Sequence, residues 1–225
     1  MSYFPTKKIC FLFLLFFLIL PYGLRASSLE QSIQQIQATY EKATDVSSEF
    51  TQKIQVQSIG REIEKAGKTF FKKPGKFKVS YDGEEGRDYI SNGKKLWVYD
   101  KGDTQVNVYG VSAKTIPEEA LSFLGGLGNL RAQFRVSAVT QEEQARLNVK
   151  DDLDWLLLIP KNEQSKLDEL ILGFDKKSHL VSEAFLKNES GNTSHYFFKN
   201  VKTNSGIAEE VFEFKSVKGV KEIKH

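Results

Sequence analysis

Between Gly67 and Asp100 the chain reads GKTFFKKPGKFKVSYDGEEGRDYISNGKKLWVYD. Three turn signals divide it: Lys73-Pro74-Gly75, Asp82-Gly83 and Asn92-Gly93. The pieces between them are short and rich in aromatic and β-branched side chains. No helix can run through such punctuation, and Asp-Gly and Asn-Gly suit tight hairpin turns. The stretch therefore predicts four short strands in an antiparallel meander.

The same period continues on either side. Val46, Ser48, Phe50, Gln52, Ile54 and Val56 share one face of a strand, while Ser47, Glu49, Thr51, Lys53 and Gln55 share the other. Phe77 to Tyr81 alternates cleanly; Gln105 to Tyr109 and Phe134 to Val136 alternate more weakly. Further strands are predicted at Trp155–Ile159, Leu167–Phe174, Leu180–Leu186, Ser194–Lys199 and Val211–Phe214. Short polar links join them. This predicts a mainly β fold with a few helices, in which an antiparallel sheet curls into a barrel or sandwich.

Two segments have helical spacing instead. Ser28 and Gln31 form a possible capping box, followed by the stripe Leu29, Ile33, Ile36 and Tyr40. Ile116 to Leu127 also reads as a short helix. Pro117 suits its first turn, and Glu118 and Glu119 favour the positive end of its dipole. Gly125, Gly126 and Gly128 end it in a mobile join. These glycines lack the spacing, the preceding strand and the lysine of a phosphate-binding loop.

The N-terminus has the three parts of a secretory signal. Lys7 and Lys8 precede an uninterrupted apolar run from Ile9 to Leu20, too short to span a bilayer as a settled helix. Pro21 and Gly23 follow, and Leu24-Arg25-Ala26 offers a cleavage site. The alternative is a retained anchor. Cys10, the only cysteine, lies inside the apolar run and not in a lipid-attachment context. Residues 1–26 are thus expected to be a cleaved signal peptide, with 27–225 a single cysteine-free domain. The whole chain has 32 Lys and Arg against 29 Asp and Glu. Lys7, Lys8 and Arg25 account for the entire excess. The remaining chain is formally neutral, which gives no general attraction to nucleic acid or to an anionic membrane surface.

Little in the sequence points to catalysis. There is no Gly-x-Ser-x-Gly elbow. His179, His195 and His225 stand far apart and form no metal-ligand pattern. His195, at the start of a strand, reads as a plain surface residue. Glu84-Glu85 and Asp151-Asp152-x-Asp154 fall where turns are expected, which makes a glycosidase carboxylate pair a remote reading. No enzyme activity, metal or cofactor is expected. The aromatics are more telling. Phe50, Phe70, Phe71, Phe77, Tyr81, Tyr89, Trp97, Tyr99 and Tyr109 concentrate in one half of the sheet. Each alone reads as ordinary core, but together on a curled sheet they can enclose a cavity.

Several motifs resemble one family. Gly67-x-x-Phe70-Phe71-Lys72-Lys73-Pro74 and Ser91-Asn92-Gly93-Lys94-x-Leu96-Trp97-x-Tyr99 resemble those of the periplasmic lipoprotein carrier family LolA. So do Phe50-x-Gln52, Leu157-x-Ile159-Pro160, and Phe212-x-Phe214 followed by Gly219-Val220. The resemblance implies an incomplete antiparallel β-barrel, or half-barrel, covered by a helical lid that encloses an apolar cavity. It implies a monomer in the periplasm that shields the acyl chains of lipoproteins. An inner-membrane lipoprotein-releasing ABC transporter would load it, and an outer-membrane lipoprotein receptor would accept the cargo. The expected cavity residues are Phe50, Ile54, Phe70, Phe77, Val79, Ile90, Leu96 and Val98. The expected lid residues are Ile116, Ala120, Leu121, Phe123, Leu124 and Leu127. Where the family usually has an arginine that latches the lid, this chain has Lys73, which is either the latch or one more solvated lysine. The alternatives are a sensor of envelope stress on the same half-barrel, a transporter of other amphiphiles, and an envelope hydrolase.

Overall fold

Helix α1 (Gly23–Lys42) leads into β1 (Asp45–Val56), β2 (Arg61–Lys72), β3 (Lys76–Tyr81), β4 (Arg87–Ser91), β5 (Lys95–Asp100) and β6 (Gln105–Gly110). A second series comprises α2 (Leu130–Gln133), β7 (Phe134–Ala138), α3 (Gln141–Leu147), β8 (Leu153–Pro160), β9 (Leu167–Asp175), β10 (Val181–Asn188) and β11 (Thr193–Thr203). A 3-10 turn (Glu209–Phe212) and β12 (Lys221–Lys224) close the chain. This computed structural model describes residues 23–111, 130–149, 152–163 and 165–225. The expected lid, Ile116 to Leu127, and nearly all of the expected signal segment lie outside the described residues.

The strands form one sheet in the order β12-β6-β5-β4-β3-β2-β1-β11-β10-β9-β8-β7. The end strands β12 and β7 do not pair, so the barrel stays open. The turns expected after Lys72, Tyr81 and Ser91 are all present. Gly75, Gly83 and Gly93 sit there at positive φ, a backbone region that costs glycine little.

One face of the β7–β11 wing carries the largest core. Ile33, Ile36 and Tyr40 of α1 pack against Leu156 and Leu158 of β8, Leu170, Leu172 and Phe174 of β9, and Ala184 of β10. Burying an apolar side chain of this size contributes about 1.5–3 kcal/mol. The spacing of the three helix residues places them on one stripe, and that stripe is what α1 buries. The Tyr40 hydroxyl accepts the Val181 backbone N–H at 3.0 Å. Burial pushes this phenol up to about 12, so it stays protonated.

Four local expectations are corrected. Helix α1 begins at Gly23, upstream of the box expected at Ser28. A cap residue must leave the helical conformation, and Leu24-Arg25-Ala26 favour continuing it. Helix α3 was not expected, yet Thr140 and Glu143 form a complete reciprocal capping box at its start. Val211 to Phe214 is not a strand. Its first residues belong to the 3-10 turn, and Phe212 is fully buried. Finally, β12 pairs with β6 in parallel, so the sheet is not antiparallel throughout.

Candidate functional site

The register of β2 to β5 decides which side chains enter the trough. Phe71 stands opposite Phe77, Phe77 opposite Ser91, and Ser91 opposite Leu96. Thr69, Val79, Tyr89 and Val98 form the next row. Side chains directly opposite one another share a face, so both rows face the same way. The alternate row, Phe70–Lys78–Ile90–Trp97, faces away.

Helix α1 fills the β7–β11 half of the trough. Over β1 to β4 and β11 lies a cavity of about 370 Å³, within the roughly 300–1,000 Å³ usual for ligand pockets. Phe50, Ile54, Phe71, Phe77, Val79 and Tyr89 contribute to its wall from β1 to β4. Tyr196 and Phe198 of β11 continue the wall beside β1, with Leu167 and Leu186 toward one end. Gly67 makes the aromatic packing possible. A Cβ there would come within 2.7 Å of the Phe50 ring. The bare backbone lets Phe50 meet Tyr81 edge-on, with ring centroids 5.2 Å apart.

Of the side chains expected in the cavity, Phe50, Ile54, Phe77 and Val79 line it. Phe70 and Ile90 do not, and this is a correction. Each belongs to the alternate row, where the two-residue period turns it to the other face. Ile90 packs there with Trp97, Tyr99, Val106 and Val108, and Phe214 and Val220 of the C-terminal segment join them. Leu96 and Val98 are on the cavity face but one strand beyond its wall. They cluster around Phe77 with Phe71, Tyr89 and Tyr109.

Lys73 is not simply a solvated lysine. Its ammonium donates to the backbone carbonyls of Tyr40 at 2.7 Å and Glu41 at 2.9 Å. These are carbonyls of the last turn of α1, the negative end of its dipole. Lys73 thereby ties the end of the β2–β3 hairpin to the helix that occupies the trough. The lid partner expected for it lies outside the described residues.

The cavity wall also contains polar groups. Gln52 is only 5% exposed. Its amide donates to Ser194 Oγ at 3.1 Å and accepts from the Tyr81 hydroxyl at 3.0 Å. Thr69, buried at the wall, bonds the Ser48 hydroxyl at 2.6 Å. Asn188 and Asn192 mark the end near Leu167 and Leu186. Alternation on β1 already placed Gln52 beside Phe50 and Ile54. Tyr196 and Phe198 were harder to find, because aromatic residues occupy both faces of β11.

His195 is half-buried, not a plain surface residue: its ring lies between Phe185 and Phe197, with centroids 3.7 and 3.8 Å away, and it meets Glu183 at 2.9 Å. All this is on the face away from the cavity. Among the described residues, no group of three or more His, Cys, Asp or Glu is placed to hold a metal ion. Also among them, no helix is long and apolar enough to cross a membrane.

An open β half-barrel with a helix in one half of its trough and an apolar cavity in the other defines the class of protein. Residues 41–215 match the family model of the outer membrane lipoprotein carrier protein LolA, and the chain belongs to that family. An outer-membrane lipoprotein carrier protein of Nitrosomonas europaea is 23% identical over 213 residues, covering 95% of this chain and 97% of the relative. One of the same name from Pseudomonas aeruginosa is 28% identical over 189 residues, covering 84% and 86%. An uncharacterized conserved protein of Thermus thermophilus, known from its crystal structure, shares the fold. Its TM-score is 0.53 at 10% identity, over 88% of this chain and 99% of that one.

Proposed function

We propose that this protein is a periplasmic carrier that takes up the acyl chains of lipoproteins leaving the inner membrane and delivers them to a receptor at the outer membrane. The observation that carries this reading is the half-filled trough. Among the described residues, helix α1 packs mainly on the β7–β11 wing, and an aromatic-lined cavity lies over β1 to β4 and β11. A chain folded only for stability would fill that space, because an interior gap forfeits dispersion contacts. A carrier needs it. Burial of each CH₂ contributes about 0.8 kcal/mol, so an acyl chain cannot cross water at a useful rate without cover.

In this reading residues 1–26 direct export and are removed. The segment Ile116 to Leu127 serves as a lid that lifts for cargo, and an ATP-driven transporter of the inner membrane loads the cavity. The protein binds and hands over, with no catalytic step, and works as a monomer. The lipoprotein carrier names of its relatives support this cargo.

A fluorescent apolar dye tests the reading. The purified protein should bind the dye with a blue-shifted emission, and a diacylated lipopeptide should displace it stoichiometrically. Failure to bind either ligand would overturn the proposal.

A further inference from the structure

One feature of the cavity does not suit a site for hydrocarbon alone. Gln52 stands on β1 between Phe50 and Ile54, two apolar wall residues, and is almost fully buried. Placing a primary amide in an apolar wall costs free energy unless its donors and acceptor are used. Only part of that capacity is used. Gln52 gives one N–H to Ser194 Oγ and receives the Tyr81 hydroxyl on Oε1. An amide nitrogen has two N–H groups and a hydroxyl has one O–H. The second N–H of Gln52 and the O–H of Ser194 have no acceptor among the described residues, and both side chains line the cavity.

The position is also informative. The row Tyr81–Gln52–Ser194 spans from β3 to β11. The aromatic part of the wall, with Phe71, Phe77 and Phe198, lies to one side of it. Leu186 stands across from Ser194 at the row itself, and the polar end at Asn188 and Asn192 lies beyond it. A ligand with a long tail and a polar linkage would have its tail against the rings and its linkage at the row.

We propose that Gln52 and Ser194 form a polar subsite that donates hydrogen bonds to the carbonyl oxygen joining an acyl chain to its head, with Tyr81 holding the Gln52 amide in place. The inference rests on the carrier reading and refines it: the cavity selects acyl esters and amides over plain alkyl chains. Two donors are available for one carbonyl, and an ester or amide oxygen has two lone pairs to receive them.

The test uses two lipopeptides of one sequence. One carries its sixteen-carbon chain on a serine as the hexadecanoyl ester, the other as the hexadecyl ether, so they differ only in the carbonyl. Dye displacement from the purified protein reads both affinities. The wild type should favour the ester about tenfold, a difference of about 1.4 kcal/mol, typical of a hydrogen bond formed in an apolar site. Gln52→Leu should bring the ratio close to one while ether binding is kept or improved. Ser194→Ala, a smaller change that serves as a second variant, should lower the ratio part-way. Equal affinity of the wild type for both lipopeptides overturns the subsite while leaving the carrier intact. So does a ratio unchanged in both variants, in which case the row only braces the sheet. Failure of the wild type to bind either lipopeptide overturns the carrier reading itself.

Discussion

The Phe50 ring lies directly over the backbone of Gly67, its partner across the β1–β2 ladder. A Cβ on Gly67 would also come within 2.3 Å of the Ser80 carbonyl oxygen. Replacing Gly67 by alanine therefore forces Phe50 and the β2–β3 pairing to move. Overpacking of this kind costs about 1–3 kcal/mol. We expect Gly67→Ala to lower the free energy of unfolding by that amount, read as a lower urea midpoint at unchanged slope, and to weaken dye binding, because the displaced ring moves within the cavity wall. A midpoint and an affinity both unchanged would show that the close approach has no consequence.

Adjacent phenylalanines on β2 should behave differently. Phe71 lines the cavity, and Phe70 faces away. Phe71→Ser should weaken apolar-dye binding about tenfold, the effect of losing part of a buried aromatic contact. Phe70→Ser should leave the affinity within about twofold, since hydrophobic contact is made only on the other face. A reversed pattern would mean that the register of β2 is shifted by one residue.

Lys73 offers a second pair of variants. Its ammonium bonds two carbonyls at the end of α1, and removing a cation from that position costs about 1 kcal/mol. Lys73→Met should speed amide hydrogen exchange in the last turn of α1 and lower the thermal midpoint. Lys73→Arg keeps the charge and should restore most of the loss. If Lys73→Met leaves both readings at their wild-type values, the contact contributes nothing.

Acid should loosen the ion pairs that tie the 3-10 turn to the β2–β3 hairpin. Hydrogen bonds from Lys72 and then Lys76 hold the Glu209 carboxyl down to about 2, below its ordinary 4.5. Lys72 reaches it at 2.8 Å, and Lys76 bonds its other oxygen. A carboxylate depressed on folding stabilises the fold above its unfolded pKa, and that contribution fades as pH falls through the folded one. The ion pairs between the 3-10 turn and the β2–β3 hairpin should therefore hold at pH 5 and fade toward pH 2. Carboxyl-detected NMR would locate the Glu209 midpoint. An ordinary midpoint near 4.5 would contradict the ion pairs, and Glu209→Gln should abolish this part of the acid response.

Strand existence was legible because turn chemistry and two-residue alternation agree over most of the chain. Gln52, Phe77 and Val79 could be assigned a face from their own strands. Phe70 and Ile90 could not. Phe70-Phe71 and Tyr89-Ile90 each put large side chains on consecutive positions, so only pairing with β3 and β5 fixes which member faces the cavity. The C-terminal strand misled for a related reason. Phe212 and Phe214 alternate like a strand, but Phe212 is buried from a 3-10 turn and Phe214 packs on Tyr99 at 5.4 Å between ring centroids. Lys73 illustrates a further limit: its partners, Tyr40 and Glu41, lie more than thirty residues away, and no local pattern records such a contact.

Native mass spectrometry of the protein isolated intact from the producing cell's periplasm tests the central claim most directly. The carrier account predicts a one-to-one complex whose adduct is an acylated lipoprotein, released when the cavity is filled by a synthetic lipopeptide. A bound signalling protein, a free phospholipid or glycolipid as the sole adduct, or no lipoprotein adduct under conditions of active lipoprotein export would contradict it.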